Sequence, residues 1–96
     1  MDEELPDKVF AESVKRASKE AVVWTDADPA VIGYARIWRE GEWRDVLVYS
    51  YKRLCETIYE VGKHDMEYCE AEDFVEYNIA GSYVGPYTPL LVREWV

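Results

Sequence analysis

Two β-rich runs joined by a short polar segment constrain this chain more than any other feature. Val31-Ile32-Gly33-Tyr34-Ala35-Arg36-Ile37-Trp38 consists mostly of β-branched and aromatic residues, which suit a pleated, half-buried surface. Arg39-Glu40-Gly41-Glu42 is polar and holds a glycine, as a hairpin loop requires. Trp43 to Tyr49 then returns, with Val46-Leu47-Val48 at its centre. The pattern predicts a hairpin, and the rest of the chain must supply its covering layer.

The flanking segments supply helices. Leu5 to Ser18 reads as one: Pro6 sits in a first turn, where a missing N–H costs nothing, and Phe10, Val14 and Ala17 recur at i, i+4, i+7. Acids lead this segment and bases (Lys15, Arg16, Lys19) end it, matching the helix dipole. Ala21-Val22-Val23-Trp24 is a short apolar run that reads as a strand, followed by an Asp-rich turn closed by Pro29. Ser50 is placed to cap a second helix over Tyr51 to Val61, with Leu54, Ile58 and Val61 inward and Gly62 as its stop. A third helix is expected from Glu67 to Ile79, with Ala71, Phe74, Val75, Asn78 and Ile79 as its inner stripe. Leu90-Leu91-Val92 reads as a last strand. The predicted order is α-β-β-β-α-α-β. That gives one α+β domain over 1–96: an antiparallel sheet of about four strands with helices packed on one face. The helix in 1–20 would be its peripheral element.

Charge and cysteine content narrow the function. The 96 residues carry a net charge of −9. Direct binding of nucleic acid or an anionic membrane would need a basic patch, and none is visible. No apolar run approaches the roughly 18 residues of a membrane span. Met1-Asp2-Glu3-Glu4 is acidic where a signal peptide is basic, so a cytoplasmic location is expected. Cys55 and Cys69 form no C-x-x-C pair and are expected to be buried free thiols rather than a disulfide. His64, the single imidazole, lies between them at no standard metal spacing. Asp26 and Asp28 are explained by turn chemistry. No catalytic set, metal site or cofactor site emerges, and the chain is not expected to be an enzyme.

Two regions remain as candidate sites. Residues 51–80 carry eight acids and three bases, and Glu67, Glu70, Asp73 and Glu76 follow one another at intervals of three on one flank of the third helix. Like charges so spaced cost a few tenths of a kcal/mol per pair, so the helix itself gains nothing from them. They form either a solvated face or a partner-binding surface for a basic protein, where carboxylates imitate a phosphate backbone. The second region is Tyr77-Asn78-Ile79-Ala80-Gly81-Ser82-Tyr83-Val84-Gly85-Pro86-Tyr87-Thr88-Pro89. It reads as a helix end and a tight loop, with Asn78 tying loop to helix. The alternative is a small-molecule pocket lined by Asn78, Tyr83 and Tyr87. The many aromatics suit an interface with a partner protein or with a second copy of the chain.

Three stretches also carry a resemblance: Asp28-Pro29-Ala30-Val31-Ile32-Gly33, Val48-Tyr49-Ser50-Tyr51, and Met66-Glu67-Tyr68-Cys69-Glu70-Ala71 with Glu76 to Gly85 and Thr88-Pro89. Over roughly residues 24–92 the chain resembles a group of small accessory proteins of phages and other prokaryotic viruses. These close with E-[FY]-N-[IV]-x-G-[AS]-[YW]-V-G-x-x-T-P. Here Glu67 stands where that group has a capping hydroxyl, and the hairpin Arg39 to Arg44 is longer. The resemblance implies a viral accessory role in the host cytoplasm and transfers no activity. The resulting expectation is an acidic interaction protein, such as an anti-CRISPR-like inhibitor of host defence acting on a nucleic-acid-binding protein. A nucleotide- or metabolite-sequestering protein is the alternative.

Overall fold

The computed structural model describes residues 4–24, 27–62, 67–80 and 82–93. Its elements are α1 (Glu4–Arg16), β1 (Val31–Arg39), β2 (Glu42–Ser50), α2 (Tyr51–Gly62), α3 (Tyr68–Val75) and β3 (Leu90–Val92). A 3-10 turn at Asp28–Ala30 precedes β1, and a π-turn at Glu76–Ala80 continues α3. The class is α+β.

The hairpin forms as its residues dictate. β1 and β2 pair antiparallel from Val31↔Tyr49 to Arg39↔Glu42, with a register shift between Val31 and Gly33. Only Glu40 and Gly41 lie outside the strands, at φ 49° and 84°. Positive φ at both central residues is the turn geometry whose twist matches that of the flanking strands, and glycine adopts it without a Cβ penalty. Tyr34, Arg36 and Trp38 share a face with Leu47, Asp45 and Trp43. That face is core at its base, where Leu47 and Tyr49 are fully buried, and open at its tip. There Trp38 and Trp43 meet edge to face at 5.3 Å in solvent.

The sheet differs from the expectation of about four antiparallel strands. Among the described residues it has three, in the order β1-β2-β3, and β3 runs parallel to β2 through Val48↔Leu90, Tyr49↔Leu91 and Ser50↔Val92. The direction follows from the connection: α2 and α3 together form the long crossover that a parallel pair needs. Ala21 to Trp24 is not a strand. Its backbone donors go to scattered acceptors instead of a ladder: Ala21 N–H to Ser18 O at 3.0 Å, Val22 N–H to Tyr87 O at 3.2 Å and Trp24 N–H to the Tyr49 hydroxyl at 2.9 Å.

The core joins Val31, Leu47 and Tyr49 of the hairpin to Leu54 and Cys55 of α2 and Val75 of α3. Phe10, Ala17, Trp24 and Ile58 pack around it and α1 lies over β1, but Val14, expected on the same stripe as Phe10 and Ala17, is exposed while Ser13 is buried. Ser50 caps α2 as expected, its hydroxyl accepting from Arg53 N–H at 3.2 Å. α3 starts where the sequence reading puts it, but Val75 ends the α-helix and a π-turn takes over. Ala71 and Val75 are buried. Phe74 and Asn78, expected inward, are exposed. Phe74 stands at the edge of the buried face, and Asn78 falls in the π-turn, where the α-helical spacing that would place it near Ala71 no longer holds.

Candidate functional site

The four carboxylates of the third helix do not form one uniform strip. Glu67 and Glu70 serve the helix start as a capping box, in which Glu67 N–H donates to Glu70 Oε1 at 3.1 Å. Asp73 stands exposed without an ion pair among the described residues. Glu76 is neutralised by Arg93 at 2.6 Å, and this guanidinium holds its carboxyl below the usual carboxylate range. Arg93 is itself set over the Tyr51 ring at 4.0 Å. The parallel return of β3 beside β2 delivers Arg93 to this place. All four carboxylates of the expected row are exposed, but Glu76 is shared with Arg93, and among the described residues Glu67, Glu70 and Asp73 have no ion pair.

Aromatic residues are exposed in the same segment. Glu70, Asp73 and Phe74 of α3 and Tyr77 of the π-turn that continues it are all exposed, whereas Ala71 and Val75 of the same helix are buried. Phe74 is 44% exposed and Tyr77 87%. Among the described residues no guanidinium lies over either ring, unlike Tyr51, Tyr83 and Tyr87.

Cys55 and Cys69 are both free, as expected, but only Cys55 is buried. Burial pushes the Cys55 thiol up. Partial desolvation raises Cys69, and the Glu67, Glu70 and Asp73 charges add to it. Thiolate is the reactive form, so neither cysteine is activated as a nucleophile. The folded protein should release one equivalent of colour from Ellman's reagent, slowly, and two equivalents in denaturant. Two rapid equivalents from the folded protein would contradict this placement. His64 lies outside the described residues, as does Asp26.

The closing loop is organised by Thr88. Its hydroxyl donates to Gly85 O at 2.6 Å and accepts from Val84 N–H at 2.8 Å, and Gly85 takes φ 108° to let the chain turn. The hairpin tip clamps this loop. Arg39 Nη1 donates to Pro86 O at 3.2 Å and Thr88 O at 2.6 Å, and Arg44 Nη1 donates to the Tyr87 hydroxyl at 3.3 Å. The two guanidinium groups lie over the Tyr83 and Tyr87 rings at 5.6 and 5.1 Å. Tyr83 donates its hydroxyl to the Glu40 carboxylate, a contact that raises the phenol above its usual range.

A cleft of about 340 Å³ opens beside this loop, between Trp24, Arg39, Ile79, Ser82, Tyr83 and Leu91. Of the three residues expected to line a pocket, only Tyr83 does so. Asn78 is exposed and bonded within its own turn, Nδ2 to Phe74 O at 3.1 Å, while its carbonyl accepts from the Ser82 hydroxyl at 3.2 Å. Its expected role as a tie between helix and loop thus falls to its backbone. Tyr87 is taken by Arg44. Sequence reasoning missed Trp24 and Arg39, because their places depend on contacts across more than twenty residues of chain.

No family model, curated protein or solved structure matches the chain. No helix among the described residues is long and apolar enough to cross a membrane.

Proposed function

We propose that the chain is an interaction module that docks α3 onto a basic surface of a partner protein. The observation that carries this reading is the exposure of Phe74 and Tyr77 beside Glu70 and Asp73. Aromatic rings supply buried contact area at interfaces, and the carboxylates steer a basic partner into place. A nucleic-acid-binding host protein is the partner class this combination favours, with the chain acting as a viral accessory inhibitor that occupies a phosphate-binding surface.

The test replaces charge without breaking the helix start. Glu70→Gln keeps the capping box, since glutamine also accepts from the Glu67 N–H. Combined with Asp73→Lys, it reverses the local field while the far-ultraviolet spectrum stays unchanged. The immobilised parent is expected to capture a basic host protein that elutes with salt, and the double variant is expected to lose it. Equal capture by both would overturn the charge-led reading.

A further inference from the structure

The cleft beside the closing loop has a surplus of hydrogen-bond donors. Its hydroxyl groups are committed: Ser82 donates to Asn78 O, Thr88 closes its own turn, and Tyr83 donates to Glu40. Arg39 is only half committed. Its Nη1 holds Pro86 O and Thr88 O, while Nε and Nη2 have no acceptor, and the guanidinium no ion pair, among the described residues. The Trp24 indole N–H likewise has no acceptor there, because the bond to Tyr49 uses the backbone N–H.

Nε and Nη2 form the side of a guanidinium that grips a carboxylate with two parallel bonds. Nη1, bound to two backbone carbonyls, fixes the orientation of that side in advance, which lowers the ordering cost of binding. Apolar and aromatic side chains (Trp24, Ile79, Tyr83, Leu91) share the walls about equally with polar ones (Arg39, Ser82, Thr88), and about 340 Å³ lies at the small end of ligand pockets. A net charge of −9 opposes polyanions, while one guanidinium balances a single negative charge. We infer that this cleft binds a small aromatic carboxylate, held by Arg39 with its ring against Trp24 and Tyr83. This goes beyond the interaction surface on α3 and does not depend on it.

The experiment is a titration of the full, ¹⁵N-labelled chain with indole-3-acetate, followed by amide and arginine Nε resonances. Saturable shifts are expected at Trp24, at Arg39 Nε–H and along Ser82 to Leu91. Indole, which lacks the carboxylate, should bind about 10–100-fold more weakly, as expected for loss of a charge-assisted pair. Arg39→Lys keeps the charge but loses the paired donors, and should weaken binding about tenfold. Tyr83→Ala tests the ring wall at an exposed position, so it remains informative if the arginine variant misfolds. Absence of shifts at millimolar indole-3-acetate would overturn the assignment. So would equal binding by the parent and Tyr83→Ala, or shifts confined to Trp38 and Trp43. Tighter binding of phenyl phosphate than of indole-3-acetate would replace the carboxylate with a phosphate monoester and overturn it too.

Discussion

Replacing Tyr49 with alanine is expected to lower the unfolding free energy by about 3–5 kcal/mol, the range for deleting a buried aromatic ring. Tyr49 is the largest fully buried side chain among the described residues, and it joins three parts of the molecule. It sits in β2 between β1 and β3, its ring meets Trp24 at 4.5 Å, and its hydroxyl accepts the Trp24 N–H at 2.9 Å. Small domains have about 5–15 kcal/mol in all, so the alanine chain would lie near the edge of folding. Its melting temperature should fall by about 4–8 °C for each kcal/mol lost. Tyr49→Phe separates ring from hydroxyl: it keeps the packing but leaves the Trp24 N–H without its acceptor, for about 1–3 kcal/mol. Urea unfolding followed by circular dichroism measures both. A phenylalanine variant as stable as the parent would show that the bond to Trp24 contributes nothing net.

The same residue explains why one part of the fold was legible and its neighbour was not. The hairpin could be read because every local signal agreed: β-branched residues in both runs, a Gly-containing loop of matching length, and apolar centres that face each other in register. Ala21 to Trp24 offered apolar residues alone, and a run of four such residues fits a strand or a segment pinned to a core equally well. What decided it was the Tyr49 hydroxyl, 25 residues away, taking the donor a ladder would have used. β3 was legible as a strand from Leu90-Leu91-Val92. Its direction is set by the connection and not by its own residues: the two helices between it and β2 form a crossover, which makes the pair parallel and not antiparallel. On α3, the spacing of the acids was readable and their condition was not, since Glu76 is neutralised by an arginine 17 residues further along the chain. Arg39 and Arg44 looked like the polar flanks of a turn, and only the packing of the closing loop gives them tyrosine rings to cover.

Tyr77→Ala is expected to leave stability within about 0.5 kcal/mol of the parent, as for other exposed positions, yet to weaken partner binding by about 2 kcal/mol or more, roughly thirtyfold. The ring is 87% exposed, so folding has little to lose from its removal. An interface that buries it would lose a central aromatic contact and leave a void in its place. The loss should appear as faster dissociation, because short-range packing acts after encounter. The Glu70→Gln, Asp73→Lys variant should differ in kind. It removes long-range attraction, so association slows, and the difference from the parent shrinks as salt rises. Measuring both rate constants for each variant against the captured partner therefore separates contact from steering. If Tyr77→Ala dissociated at the parental rate, α3 would not be the buried face, whatever its charge does to association.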